Sequence, residues 1–154
     1  MIQAPPALNL PPAQLKLRAT ARGVEIYDRL REKWVIVTPE EWVRQNFVNY
    51  LVEHKGFPAG TMANEIAISL NGTTKRCDTV IYDRTLQPLA IVEYKAPHIP
   101  ITQKVFDQIV RYNLVMNVKY LIISNGMQHY CCEADALNNR CKFLKEIPAY
   151  GDIT

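Results

Sequence analysis

The chain has 154 residues, of which 48% are hydrophobic and 21% are charged, and its formal net charge is +3. This length fits one domain that buries its own core, and the composition is that of a water-soluble globular protein. So small a net charge disfavours a dedicated nucleic-acid binder that relies on its own basic residues. It does not disfavour a catalytic domain, since a metal or a partner subunit can supply charge.

The cysteines and the N-terminus bear on the cellular compartment. The four cysteines, Cys77, Cys131, Cys132 and Cys141, lack the paired framework of secreted proteins, so we predict reduced thiols. A zinc site built from the three late cysteines is a distant alternative, because a regular Cys-x-x-Cys pair is missing. The N-terminus lacks the features of a signal peptide, and no apolar run approaches the ~18–20 residues of a membrane span. These features predict a cytoplasmic protein without membrane segments.

The first 37 residues divide into two segments with different sequence patterns. Residues 1–14 contain four prolines and predict an extended N-terminal arm rather than a helix. From Leu15 to Val37, apolar and polar residues alternate, which predicts two or three antiparallel strands, an N-terminal β-hairpin extension of the fold. A short helix over Asp28 to Glu32 is the competing prediction for the middle of this segment.

A helix is predicted after Thr38, which can cap free N–H groups, with Pro39 suited to the first helical position. Glu41 would complete a capping box, and Gly56 would end the helix. The apolar residues recur at helical spacing, and they are Trp42, Val43, Phe47, Tyr50 and Leu51. A strand is predicted over Asn64 to Leu70, followed by a hairpin turn at Asn71-Gly72.

Beyond Lys95 the pattern is a proline-containing loop over Ala96 to Pro100, a helix over Thr102 to Met116 and a buried strand over Lys119 to Ser124. A turn at Asn125-Gly126 precedes a further strand over Gln128 to Cys132. Residues 133–154 are predicted to be a polar, loosely structured tail with a strand at Cys141 to Leu144. The whole order predicts an α/β (α+β) sheet with helices packed against it. We expect residues 15–154 to be a single domain with its core at about 38–130.

The chemistry concentrates in Arg76 to Lys95, where two β-rich runs flank a polar linker and predict a hairpin. Glu93 and Lys95 follow an apolar run and share one face of the second strand. Pairing of the two strands would place Asp78 beside Glu93. A structural cross-strand salt bridge is the plain alternative for these charges.

Two carboxylates and a lysine suit the hydrolysis of a phosphodiester. Mg²⁺ is usually held by one or two carboxylates together with substrate phosphate and water, and it can activate water and stabilise charge at phosphorus. Asp78 and Glu93 are candidate metal ligands, and without metal their repulsion should raise one pKa. Lys95 can position or polarise the attacking water.

The pattern Asp78…Glu93-Tyr94-Lys95 resembles the core of the PD-(D/E)xK nuclease superfamily. Gln108 to Tyr112 looks like the Gln-x-x-x-Tyr motif of its restriction and recombination branch. Residues about 38–130 resemble, more specifically, the N-terminal nuclease domain of the type I restriction enzyme R subunit. The segments that carry this likeness are Pro39 to Gln45, Lys75 to Asp78, Val92 to Pro97, Gln108 to Asn113, and Ser124 to Gly126.

The resemblance implies a restriction-endonuclease-like mixed central sheet flanked by helices. It also implies catalytic roles for Asp78, Glu93, Lys95, Gln108 and Tyr112. Glu41 would assist from the first helix, with Glu65 as its competitor. Candidate nucleic-acid contacts are Arg76, Lys104 and Arg111.

The implied function is a DNA endonuclease that uses Mg²⁺, or Mn²⁺ in its place. The alternative is a nuclease-fold module, inactive or dependent on a partner, that binds nucleic acid or protein. The chain has no Gly-Lys-Ser/Thr phosphate loop, so the ATP-driven motor of the R subunit is not carried over. A separate motor or specificity subunit is the expected partner, and a homodimer that pairs two active sites is left open.

Overall fold

The computed structural model describes residues 5–70, 72–114, 117–135 and 140–153, and at positions 68, 70, 73, 75 and 112–114 it describes the backbone alone. Two sheets, three α-helices and a short 3₁₀ helix (Ala59–Thr61) lie within these ranges. The small N-terminal sheet is antiparallel, in the order β1-β2-β3. Its strands are β1 (Leu17–Thr20), β2 (Gly23–Asp28) and β3 (Lys33–Ile36).

The main sheet has six strands in the order β4-β5-β6-β7-β8-β9. Strands β6 and β7 are parallel, because α2 connects them in a crossover, and the other neighbours are antiparallel. The predicted mixed sheet with flanking helices is confirmed. Its elements are α1 (Pro39–Lys55), β4 (Met62–Leu70), β5 (Thr73–Tyr82), β6 (Pro88–Tyr94), α2 (Gln103–Leu114), β7 (Tyr120–Ser124), β8 (His129–Asp135), β9 (Arg140–Leu144) and α3 (Tyr150–Ile153).

Alternation along the central strands divides the core into two layers. Ala90 and Val92 of β6 pack in the layer with Phe47 of α1, whereas Ile91 packs in the layer with Phe106 of α2. Such a strand is apolar on both faces, as expected for a central strand with helices on each side. The polar residues that end β6 are therefore placed between two helical layers.

Helix α1 begins and ends as the sequence predicts. The hydroxyl of Thr38 accepts a hydrogen bond from the N–H of Glu41 at 3.0 Å, and Pro39 is the first helical residue. Gly56 ends the helix with a left-handed backbone at φ 73°, where glycine has no Cβ penalty. The capping box, however, is only half formed, since the carboxylate of Glu41 accepts hydrogen bonds from Arg31, Arg44 and Gln45.

The competing helix over Asp28 to Glu32 is wrong, because this segment is the turn between β2 and β3. The carboxylate oxygen Oδ1 of Asp28 accepts hydrogen bonds from the N–H groups of Leu30 and Arg31. An aspartate that binds the backbone two and three residues later favours a turn over a helix. The turn leaves β2 and β3 in one antiparallel hairpin.

The proline-rich segment forms no helix or strand from residue 5 to residue 16. It is nevertheless held along the domain, since Leu8 and Leu10 pack against the core layer of α1. The N–H of Asn9 donates to the carbonyl of Gly126 at 2.8 Å, and the indole N–H of Trp42 donates to the carbonyl of Pro6 at 2.9 Å.

The strand predicted at Cys141 to Leu144 is confirmed as β9, but the loose structure predicted for the rest of the tail is wrong where that segment is described. Strand β9 extends the main sheet, and beyond it Ile147 and Tyr150 are 6% and 5% exposed within the α1 core layer. Phe57 contacts the ring of Tyr150 with 5.3 Å between centroids. Isolated apolar residues among polar ones give little periodic signal, and tertiary packing fixes this segment.

Two other predicted positions fall outside the described residues, namely Asn71 of the β4–β5 turn and the end of the second helix at residues 115 and 116. The hairpin of β4 with β5 is confirmed by its antiparallel register. None of the helices in the described part of the chain combines the length and the apolar character that crossing a membrane requires.

The prediction of reduced thiols throughout is wrong, because Cys132 and Cys141 form a disulfide. Strands β8 and β9 pair with Ala134 opposite Cys141, so Cys132 lies two residues along, diagonally across the ladder. Their Cα atoms are 5.8 Å apart, a separation that a disulfide can span. The disulfide also occupies two of the three cysteines that the zinc alternative requires.

We expect a thiol titration to detect this pairing. Cys77 and Cys131 are 0% and 1% exposed, and burial raises the pKa of Cys131 to about 12, so the folded protein should react with very little thiol reagent. Denaturant without reductant should reveal two thiols, and reduction should reveal all four cysteines. Four thiols before reduction would contradict the disulfide.

Candidate active site

The hairpin of β5 and β6 places Asp78 beside the end of β6, where Glu93 lies. The register pairs Thr79 with Val92, so the next pair along is Asp78 with Glu93. The Asp78 carboxylate oxygen Oδ2 accepts a hydrogen bond from the backbone N–H of Tyr94 at 2.9 Å. Asp78 therefore contacts the residue that lies between Glu93 and Lys95 in the chain.

Tyr94 fixes the orientation of this strand end. Its ring is 5% exposed and contacts Phe47 of α1, with 6.0 Å between ring centroids. Because side chains alternate along a strand, Glu93 and Lys95 point to the opposite face, and both are half-buried. The N–H of Lys95 donates to the carbonyl of Ser124 at 2.9 Å, which continues the parallel ladder with β7 beyond Tyr94.

A single arginine of α1 joins three neighbouring groups at this point. Nη1 of Arg44 donates to the backbone carbonyl of Asp78 at 2.8 Å, and Nη2 donates to the carboxylate of Glu65 at 2.8 Å. The same guanidinium contacts both oxygens of Glu41, at 2.9 Å from Nε and 3.2 Å from Nη2. Arg44 is 8% exposed, so this ion pairing is largely shielded from water.

The opposite charges in this cluster stabilise each other's ionised forms. Burial acts to lower the pKa of Arg44, but Glu41 and Glu65 outweigh it and raise that pKa. Burial likewise acts to raise the pKa of Glu65, and hydrogen bonds from Arg76 and Arg44 outweigh it and lower the pKa. Glu65 is thus held as a carboxylate, and it has a left-handed backbone at φ 57° in mid-strand, opposite Asp78.

Buried polar groups extend the cluster toward the N-terminal sheet. The hydroxyl of Thr79 donates to Oδ1 of Asn64 at 2.7 Å and accepts from the hydroxyl of Tyr94 at 2.9 Å. The amide of Asn64 donates to the carboxylate of Asp28 at 3.0 Å, and Arg31 contacts both Asp28 and Glu41. Among the described residues, no buried side-chain nitrogen or oxygen lacks a hydrogen-bond partner.

Asp28 is 0% exposed, and this network keeps it ionised. Burial acts to raise the pKa of Asp28, but hydrogen bonds from Arg31 and Asn64 outweigh it, so the pKa is lowered. Asp28, at the start of the β2–β3 turn, and Arg31, within it, therefore link the small sheet by hydrogen bonds to Asn64 of β4 and Glu41 of α1.

Glu41 and Glu65, the carboxylates predicted to assist the site, are linked to Asp78 through Arg44. Glu41 is 6% exposed and joins Asp78 through Arg44, and Glu65, its predicted competitor, joins Asp78 through the same arginine. Arg76, a predicted phosphate contact, has a 71% exposed side chain and donates to Glu65 at 2.6 Å. Their catalytic and DNA-binding roles stay predictions.

The α2 residues of the predicted site lie on the outer side of that helix where their side chains are described. Gln108, Lys104 and Arg111 are exposed, whereas Phe106 faces the core. Tyr112 lies in α2, but its side chain is outside the described residues. The role of the Gln-x-x-x-Tyr pattern stays a prediction.

Asp78 and Glu93 offer two carboxylates, and Mg²⁺ usually takes one or two carboxylates from a protein. No group of three or more His, Cys, Asp and Glu side chains among the described residues is arranged to hold a metal. A cation at this pair would therefore complete its coordination with water and substrate oxygens, as Mg²⁺ commonly does. Both carboxylates are half-buried beside the end of β6, where such ligands can reach them.

Sequence patterns did not single out Arg44, Arg31, Asn64 or Thr79. One signal for Arg44 was present, because it follows Glu41 by three residues, a spacing at which opposite charges pair on a helix. It also lies next to Val43, within the apolar stripe of α1, where a charge needs a partner. Nothing in the local sequence identifies Asn64 and Thr79, which meet only through β4–β5 pairing.

We expect Arg44→Met to lower the free energy of unfolding by about 3–5 kcal/mol, since it leaves buried carboxylates without their cation. The matched control is Arg29→Met, which removes an arginine from the exposed pair with Glu53 and should cost less than about 1 kcal/mol. Urea unfolding would measure both.

The double variant Glu41→Gln/Arg44→Met should lose less than the two single variants combined, because a charge and its counter-charge are removed together. Equal losses for Arg44→Met and Arg29→Met would contradict the central role of Arg44 in the fold.

The comparisons with known proteins that found a match agree on one family. No protein among those with curated descriptions matches the chain. A solved fragment assigned to an HsdR subunit of a type I restriction enzyme from Vibrio vulnificus YJ016 has the same fold, with a TM-score of 0.53 and 20% identity over 76% of this chain. The chain spans 24% of that protein.

Residues 39–148, more than two thirds of the chain, match the family model described as type I restriction enzyme R protein N terminus. The chain therefore belongs to the family of type I restriction enzyme R protein N-terminal domains.

Proposed function

We propose that the chain is a nuclease domain that hydrolyses DNA phosphodiester bonds with Mg²⁺, or with Mn²⁺ in its place. The observation that carries this proposal is the hydrogen bond between the Asp78 carboxylate and the N–H of Tyr94. That contact joins the Asp of one strand to the Glu-x-Lys of the next, in a chain whose family is that of type I R-protein N-termini.

In this proposal Asp78 and Glu93 hold the cation. When bound, a divalent ion of this kind activates water and stabilises charge on the phosphate and leaving oxygen. The N–H of Tyr94 orients Asp78, and the carbonyl of Asp78 is fixed by Arg44. These two hydrogen bonds hold Asp78 in position before substrate binds.

Lys95 is proposed to act on the attacking water. Its ammonium group donates to the attacking water and offsets the negative charge of Asp78 and Glu93. The hydrogen bond from its backbone N–H to Ser124 anchors the start of the side chain to β7. Gln108 and Tyr112 are proposed to contact substrate from α2, and Arg76, Lys104 and Arg111 are proposed phosphate contacts.

The partners are proposals as well. The chain spans about a quarter of the Vibrio vulnificus protein, so we propose that motor or specificity subunits act together with this domain. A homodimer and a cytoplasmic location stay predictions from the sequence. A nuclease-fold module that binds nucleic acid or protein without cutting is the alternative to the proposed activity.

We expect the purified protein to cut supercoiled, linear or single-stranded DNA in Mg²⁺ or Mn²⁺, and EDTA should abolish cutting. Asp78→Asn, Glu93→Gln and Lys95→Ala should each lower the cleavage rate by about a hundredfold or more, a typical loss for a residue of this kind. Lys145→Ala and Glu146→Gln, at exposed positions, are the matched controls and should cut at the normal rate.

Binding of Mn²⁺, followed by calorimetry, gives a readout that does not depend on cutting. Asp78→Asn and Glu93→Gln should weaken it, whereas Lys95→Ala should not. Cutting that survives in all three folded variants would refute this site. Metal binding without cutting would favour the inactive or partner-dependent alternative.

A further inference from the structure

The net charge of the chain is concentrated in one small element. Residues 15–37, which form the N-terminal sheet, contain six basic and three acidic residues, so their formal net charge is +3. The rest of the chain has twelve of each, so it contributes nothing to the +3 of the whole. The charged residues of the sheet segment are Lys16, Arg18, Arg22, Arg29, Arg31 and Lys33, with Glu25, Asp28 and Glu32.

The two faces of this sheet differ. The inner face carries Ile26 and Asp28, which are both 0% exposed, and Asp28 accepts a hydrogen bond from Asn64 of the main sheet. Side chains that alternate with these lie on the other face, which we call the outer face. It is defined by Lys16, Arg18, Glu25, Tyr27, Trp34 and Ile36, with Arg22 at its edge.

Cations and aromatic rings lie side by side on the outer face. The guanidinium of Arg18 lies 4.2 Å from the ring centroid of Trp34, and the ammonium of Lys16 lies 5.6 Å from that of Tyr27. The two rings contact each other edge to face, 5.5 Å apart, and both are half-buried. The rings are therefore braced by their neighbours and still partly accessible.

The acidic residue within this face holds the cations in place. Glu25 is 2% exposed, and it accepts hydrogen bonds from Nε of Arg18 at 2.8 Å and Nη2 of Arg22 at 3.1 Å. Their side chains are nevertheless 49% and 80% exposed. A guanidinium has five N–H donors, so each arginine can hold Glu25 and still donate to a phosphate.

This combination matches one class of ligand. Single-stranded nucleic acid combines a regularly charged backbone with bases whose flat faces stack on aromatic rings and guanidinium planes. In a duplex the bases already stack on one another. Aromatic residues on the surface of a sheet therefore have few base faces on which to stack. An acidic protein segment would match the cations but would make no use of the flat ring and guanidinium surfaces.

We propose that the outer face of the N-terminal sheet binds single-stranded DNA, with Lys16, Arg18 and Arg22 at the phosphates and Trp34 and Tyr27 at the bases. The choice of DNA rests on the proposed function, and the outer face adds a second DNA contact to the site at Asp78. Binding and cutting are nevertheless separable, because the outer face and Asp78 lie on different sheets.

The test measures binding of a labelled oligodeoxythymidine of about 20 nucleotides by fluorescence anisotropy, in EDTA so that no cutting interferes. The triple variant Lys16→Gln/Arg18→Gln/Arg22→Gln should bind at least about tenfold more weakly at low salt. Its slope of log affinity against log salt should fall by about two, as expected for three lost contacts to a single strand. The control Arg84→Gln/Lys142→Gln/Lys145→Gln removes the same charge at exposed positions and should bind within about threefold of the unaltered protein.

Stacking is tested separately through tryptophan fluorescence. The chain has two tryptophans, so Trp42→Phe leaves Trp34 as the only one, and the oligonucleotide should quench its emission. Adding Trp34→Leu should weaken binding by about tenfold, whereas Trp34→Phe, which keeps an aromatic face, should lose less. Circular dichroism and urea unfolding would confirm that each variant is folded.

Three results would overturn the proposal: no binding by the unaltered protein at low salt, equal losses in the triple variant and its charge-matched control, or a clear preference for duplex over single strands. Failure of the proposed function would be seen differently, as intact oligonucleotide binding with no metal-dependent cutting. Binding of an acidic peptide in place of DNA, lost in the same triple variant, would reassign the outer face to a protein partner.

Discussion

The interaction on which the rest of the structure depends is that of the Arg44 guanidinium with Glu41, Glu65 and the carbonyl of Asp78. It ties α1 to β4 and β5 at the point where the strands carry their polar residues. A buried cation is costly unless it is paired and hydrogen-bonded, and here each side of the guanidinium has a partner. Because Arg44 is satisfied by three different elements at once, a shift of any of them leaves a charge or a carbonyl unpaired.

The same principle extends through Asn64 and Thr79 to Asp28 in the small sheet. The N-terminal sheet is thereby docked on the main domain by hydrogen bonds between buried groups as well as by apolar contacts. Such a network has a limited number of arrangements that satisfy every group. It fixes which face of the small sheet is covered, and therefore which face presents Lys16, Arg18 and Trp34 to solvent.

The position of Asp78 beside the Glu93–Lys95 segment was predictable from the sequence, whereas the groups that surround it were not. Asp78, Glu93 and Lys95 belong to adjacent strands of one hairpin, so local pairing rules are enough to bring them together. Glu41 was predicted as a capping-box residue and a candidate for the site, but its carboxylate joins Asp78 only through Arg44. The disulfide of Cys132 with Cys141 was missed because it depends on the register of β8 with β9, which cysteine spacing does not reveal. The packing of Ile147 and Tyr150 was missed for the same kind of reason, since their partners lie far away in sequence.

The sequence by itself determined the succession of strands and helices from α1 to β9, the caps of α1, the hairpin of β5 with β6 and the family resemblance. All of these depend on periodicity, turn chemistry and short spacings, which act between residues close in the chain. Only the tertiary structure decided that Arg44 lies between three acceptors, that Glu41 serves an internal ion pair and that Lys16 and Arg18 lie on the outer face of the small sheet. The contact that positions Arg44 against β5, for example, joins it to the carbonyl of Asp78, a residue 34 positions further along the chain. The energy of a buried charge is set by its neighbours in space, and the sequence does not name those neighbours.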